Sequence, residues 1–229
     1  MGLLADPPLE ALLEALHVRS DKQAEAMRNR GDEWRKEVAS LSEEEREARI
    51  KEFVSDKLVA LDRDKAAFCY QLCRTTGARR IVEIGTSYGV STLYLAAAVR
   101  DTVAQAGGSG LVIGTEYEAG KAAAARANFA QAGLDRFIEL REGDLRETLK
   151  TLDGPIDFML VDIWIEMARP ALELVAPHLR RGAIVICDNT KAYPDAYADY
   201  FAFLHDPANA FRTMTLPFEG GLELSVCLR

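Results

Sequence analysis

Apolar residues recur at helical spacing from the start of the chain: Leu9, Leu12, Leu13 and Leu16 fall on one face, and a heavily charged stretch follows. Ser42 with Glu45 has the form of a capping box and opens a helix from Glu43 to Leu61, with Ile50, Phe53, Val54 and Leu58 as its buried stripe. A further helix from about Asp64 to Thr75 runs to a stop at Gly77. The charge-rich segment from Arg28 to Glu52 reads as a solvated helical face.

From Arg80 the period changes. Short β-branched runs (RIVEIG, LVIGTEY, FIELREGD, IDFMLVD, AIVICDN) alternate with helical stretches ending near Arg100, Ala132, Leu179 and His205, the last of them starting near Tyr193. The runs are apolar throughout, as in a parallel sheet covered on both faces. FRTMTLP and LELSVCLR then flank Phe218, Glu219, Gly220 and Gly221, a spacing suited to a hairpin. The pattern predicts the α/β class: a doubly wound, mostly parallel sheet of seven strands with an antiparallel C-terminal edge pair, behind an N-terminal helical extension. The boundary falls near residue 58, giving an extension over 1–57 and a main domain over 58–229.

Composition narrows the partner. The chain has 229 residues, enough to build a core without a metal or disulfide, and 36 acidic against 28 basic residues give a net charge of −8. That charge disfavours a nucleic-acid backbone or an anionic membrane, and no apolar run approaches the roughly 20 residues of a membrane span. A cytoplasmic protein acting on a small molecule is the expectation. The four cysteines (Cys69, Cys73, Cys187 and Cys227) sit in apolar segments and read as buried free thiols.

In an open α/β sheet, ligands gather beyond the carboxyl ends of the strands. Here those ends carry Glu83 and Gly85, then Glu116, Asp144 and Asp162, then Asp188 with Asn189. So many acids in one crevice suit a cationic ligand or a bound metal. The first turn, Glu83 to Gly89, has G-x-x-x-G spacing and lacks the G-x-G-x-x-G that seats a pyrophosphate, which disfavours a dinucleotide. Glu83 suits an amino group or a sulfonium, and Glu116 a ribose. Asp144 is placed for an adenine amino group and equally for a helix N-cap before Leu145.

The segments VEIGTSYGVST, GTEYE, REGDL, VDIW and CDNT, in this order, resemble class I S-adenosylmethionine-dependent O-methyltransferases, nearest to the metal-dependent catechol and caffeoyl-CoA branch. The resemblance covers about Leu58 to the C-terminus. It implies a Rossmann-like fold and methyl transfer to a hydroxyl of a small, phenolic or catechol-like acceptor. It places Glu83 and Gly85 at the methionine amino end, Ser91 at the carboxylate, Glu116 at the ribose, and Asp144 with Leu145 at the adenine. It also implies a divalent ion, Mg²⁺ foremost, on Asp162, Asp188 and Asn189, and two carboxylates with an amide oxygen are hard ligands that Mg²⁺ accepts. Relatives often associate, so a homodimer through the helical extension belongs to the same expectation.

The chain departs from this family at one telling place. The lysine expected three residues after the first metal aspartate is Ile165, and Arg212 to Pro217 holds no carboxylate to match the family's second-hydroxyl glutamate. Lys191 is then a candidate for the base, and Asp162 takes the proton if no metal is bound. Trp164, Tyr193 and Tyr197 either wall the acceptor or pack. A metal-independent methyltransferase and a non-catalytic nucleoside-binding protein on the same fold remain the alternatives.

Overall fold

The computed structural model describes residues 2–31, 34, 37, 39 and 41–229. Two compact units emerge, residues 1–60 and 61–229.

In the first unit, α1 (Pro7–Asn29) starts where the Asp6 carboxylate accepts the Leu9 amide and prolines occupy the first turn. Leu9, Leu13 and Leu16 are buried, as their spacing predicts. α2 (Glu43–Val54) opens on the expected capping box, with the Ser42 amide donating to Glu45 at 2.8 Å and the Glu45 amide to the Ser42 hydroxyl at 3.3 Å. It stops at Val54 rather than at Leu61. The chain beyond is claimed by α1: the Gln23 side chain accepts the Leu58 amide at 2.7 Å and the Ser20 hydroxyl donates to the Leu58 carbonyl at 2.9 Å. Of the expected stripe Leu58 is buried, whereas Ile50 is exposed. Much of the predicted solvated face, residues 32, 33, 35, 36, 38 and 40, lies outside the described residues.

The second unit contains α3 (Arg63–Thr76), β1 (Arg80–Ile84), α4 (Val90–Ala106), β2 (Leu111–Glu116), α5 (Ala119–Gln131), β3 (Ile138–Glu142), α6 (Leu145–Thr148), β4 (Ile156–Val161), α7 (Ile165–Val175), β5 (Leu179–Asp188), α8 (Ala198–His205), β6 (Phe211–Leu216) and β7 (Leu222–Cys227). The strands form one seven-stranded sheet in the order β3-β2-β1-β4-β5-β7-β6, parallel except for β7, which pairs antiparallel with both β5 and β6. This is the predicted α/β architecture with its antiparallel edge pair. α8 begins at Ala198, five residues later than the pattern suggests, because the amides of Lys191 and Ala192 donate to the Gly220 carbonyl and fold residues 190–197 into turns.

Alternation along β1 sorts side chains to the two faces of the sheet. Val82 and Ile84 join Ile113, Met159, Val161 and Val185 under α6, α7 and α8 in a fully buried layer. Truncating one such Ile or Leu to Ala typically costs about 2–5 kcal/mol. Glu83 points to the other face, where α4 starts. All four cysteines are buried and free, as expected.

Candidate functional site

Strand register alone builds the site. Ile84 lies beside Thr115 on one side and Val161 on the other, Val161 beside Cys187, and Glu116 beside Glu142. The next residue of each strand therefore falls in one row, setting Glu116, Gly85, Asp162 and Asp188 side by side along the carboxyl edge.

Gly85 occupies a left-handed conformation (φ +93°), and a β-carbon there would overlap the carbonyl oxygen of Asp162. Glu83, fully buried, accepts hydrogen bonds from the hydroxyls of Thr86 (2.9 Å) and Thr92. Burial pushes its pKa up against those hydroxyls. Its second oxygen, Oε1, and the Ser87 hydroxyl are buried with no hydrogen-bond partner among the described residues. Buried polar atoms are normally satisfied, which sets these two apart. Glu116 accepts the amides of Ser87 (2.7 Å) and Glu118 (2.8 Å), clamping a turn in which Ser87 itself has φ +50°.

Asp144 caps α6 by accepting the Arg146 amide at 2.9 Å and pairs with the Arg146 guanidinium at 2.6 Å, which holds its pKa below the usual carboxylate range. Leu145 beside it is buried in the core. Ser91, expected at a ligand carboxylate, is buried in the first turn of α4.

The far side is strongly acidic. Asp162 is half-buried, and burial, then Asp188 and Glu83, push its pKa up to about 8. Asp188 is raised as well, by burial foremost, although Lys65 opposes the shift. Sequence reasoning missed Lys65, whose side chain is only 2% exposed and whose ammonium lies 2.7 Å from Asp188 Oδ1 and 2.9 Å from Asp62 Oδ2. The clue was its spacing: Lys65, Cys69 and Cys73 recur every four residues on the buried face of α3. Lys191 is exposed, with its backbone held under the hairpin loop. Trp164 and Tyr193 are 41% and 58% exposed, and Tyr197 is buried with its hydroxyl donating to the Asp188 carbonyl at 3.0 Å, which makes it a packing residue rather than a wall of the crevice.

The donor set does not match a divalent ion. Asp188 Oδ1 accepts both the Lys65 ammonium and the Asn189 amide (2.8 Å), and Oδ2 accepts the Asn189 side-chain nitrogen at 3.1 Å. Asn189 Oδ1 is turned under Gly220 instead. Both Asp188 oxygens are thus engaged by donors and the Asn189 oxygen is turned aside, which leaves Asp162 without two free oxygens beside it from these residues. No group of three or more His, Cys, Asp or Glu among the described residues forms a metal cluster either.

Residues 82–190 match the family described as "Methyltransferase domain". The match covers just under half of the chain, and over those residues the sequence is similar to a methyltransferase domain. Among curated proteins it is similar to a catechol O-methyltransferase of Mycobacterium tuberculosis, 33% identical over 132 residues that cover 57% of each chain. A second catechol O-methyltransferase, from Niastella koreensis, is 28% identical over 57% of this chain and 58% of its own. The chain thus spans little more than half the length of these curated relatives. Among solved structures, an O-methyltransferase from Bacillus cereus in complex with SAH superposes with a TM-score of 0.66 at 20% identity, covering 86% of this chain and 96% of that one. An SAH-bound methyltransferase of Podospora anserina gives 0.66 at 23% identity, covering 74% and 80%. These two show the fold alone. The glycine turn and the strand-end acids of this chain lie within the matched residues 82–190. No helix among the described residues is long and apolar enough to cross a membrane.

Proposed function

We propose that this protein transfers the methyl group of S-adenosylmethionine to a hydroxyl of a small, phenolic acceptor. The observation that carries the reading is the buried Glu83 with its unpartnered Oε1 at a glycine turn, one strand from Glu116. That pair suits a ligand bearing an ammonium group and a ribose diol. The catechol O-methyltransferase names of the curated relatives support the acceptor class.

Bound S-adenosylmethionine supplies an electrophilic methyl on a sulfonium. Glu83 holds the amino end, Gly85 lets the chain pass close by, Ser91 meets the carboxylate, and Glu116 takes the ribose. Asp144 and Leu145 border the adenine. With that group bound, an acceptor oxygen would take the methyl as the sulfur leaves with its bonding pair, and the acceptor proton would need a base. Asp162 Oδ, beside Gly85, accepts that proton in its ionised form, which the raised pKa makes a stronger base and which fills as pH rises toward about 8. Lys191 is the second candidate, on the exposed turn. Charge is neutralised as sulfonium meets phenolate, so a dry crevice favours transfer. The expectation of Mg²⁺ on Asp162, Asp188 and Asn189 does not suit the engaged oxygens of Asp188 and Asn189.

Cytoplasmic residence is part of the reading and rests on four free, buried thiols. Association through residues 1–57 as a homodimer is likewise part of it, and a light-scattering mass equal to one chain would contradict that element.

The test is incubation with methyl-labelled S-adenosylmethionine and a panel of mono- and dihydroxyphenols, followed by mass spectrometry. The reading expects a methyl ether and one S-adenosylhomocysteine per turnover. Cofactor binding with no label in any acceptor would favour the nucleoside-binding alternative.

A further inference from the structure

The cluster that resembles a metal site already contains a cation. Lysine is almost never fully buried unless paired, and Lys65 is paired twice, with Asp188 and with Asp62. Four carboxylates bear on this place, those of Asp62, Glu83, Asp162 and Asp188. A divalent ion on Asp188 would have to displace or crowd the ammonium already bound to Oδ1. The ion would also need Asn189 to turn its carbonyl oxygen out from under Gly220.

We infer that the Lys65 ammonium is the resident cation of the strand-end carboxylates, standing where a divalent metal is expected and fixing Asp188 for metal-independent methyl transfer. This rests on the methyltransferase reading above. Lys65 is too buried to touch an acceptor, so it is a positioning residue. It orients Asp188, whose two oxygens orient Asn189 in its left-handed conformation (φ +59°). That turn is held in turn by the hairpin loop, through the amides of Lys191 and Ala192 on the Gly220 carbonyl at 2.9 Å.

The experiment has two arms on the full chain. Mn²⁺ is titrated into the wild-type protein, with and without S-adenosylhomocysteine, and followed by electron paramagnetic resonance. No saturable site is expected, and turnover should stay within about twofold when a chelator is added. In the second arm, Lys65→Met should lower kcat by about tenfold or more with little change in the KM for S-adenosylmethionine, and Lys65→Arg should recover part of the loss. One Mn²⁺ per wild-type chain, abolished by Asp188→Asn, overturns the proposal, as does a folded Lys65→Met with wild-type kcat. If Lys65→Met does not fold, the wild-type titration and Lys65→Arg still decide. A chain that neither binds S-adenosylmethionine nor methylates any acceptor sinks the function instead, while the Mn²⁺ titration continues to test the cation.

Discussion

Gly85 sits against Asp162 so closely that a β-carbon on the glycine would overlap the aspartate's carbonyl oxygen. The two residues end neighbouring strands, β1 and β4, and the Asp162 amide donates to the Ile84 carbonyl at 2.9 Å, drawing the two chains together. Gly85→Ala must therefore strain a φ of +93° and push β4 away at the point where the crevice narrows. We expect a loss of about 1–3 kcal/mol in stability and a weakening of S-adenosylmethionine binding beyond what that loss explains. Thermal melting and calorimetry on the same sample separate the two effects.

Glu83→Gln keeps the size of the side chain and most of its hydroxyl contacts while removing the charge. If Oε1 receives an ammonium group, affinity for S-adenosylmethionine should fall by about 10- to 100-fold, the scale of a charge-assisted hydrogen bond. Stability should rise or hold, because a carboxylate fully buried among hydroxyls carries a desolvation cost. An unchanged Kd would remove Glu83 from the cofactor site.

Glu116 has two duties in this account, to hold the Ser87 amide and to accept a ribose. Glu116→Ala should raise the Kd for S-adenosylmethionine by at least about tenfold, and for adenine alone by much less. Equal losses for both ligands would mean that the turn had collapsed rather than that a ribose contact was removed.

At the opposite edge of the sheet, Asp157 accepts the Arg180 guanidinium at 2.6 Å and the amides of Arg79 and Arg80 at 2.8 and 2.9 Å. Burial pushes its pKa up, but Arg180 and the two amides outweigh burial and leave it below the usual value. A carboxylate with a lowered folded pKa contributes fully above its unfolded value of about 3.9, and that contribution fades as pH falls through the folded value. Asp157→Asn should therefore cost about 1–3 kcal/mol at neutral pH and flatten the acid limb of the stability curve below about pH 4, as measured by urea unfolding. A variant as acid-sensitive as the wild type would contradict this assignment.

The strands and their ends were legible because β-branched runs in a buried parallel sheet are short and nearly all apolar, which leaves the first polar residue after each run as the strand end. Glu83, Gly85, Glu116, Asp162 and Asp188 could be placed on this basis. Lys65 could not, because its partner lies 123 residues away and a lysine in Asp-Arg-Asp-Lys reads as solvated. Tertiary contacts also decided the helix ends: Ser20 and Gln23 claim the chain at Leu58, and Gly220 claims the amides of Lys191 and Ala192 before α8 starts. The orientation of the Asn189 amide, on which the metal question turns, has no trace in local sequence.

The most direct measurement is a calorimetric titration of the purified chain with S-adenosylmethionine, with NAD as the comparison ligand. The account predicts saturable binding of one S-adenosylmethionine per chain and no heat from NAD. No binding of S-adenosylmethionine, or binding of NAD of equal strength, would contradict the claim that the Glu83 turn is a methyl-donor site.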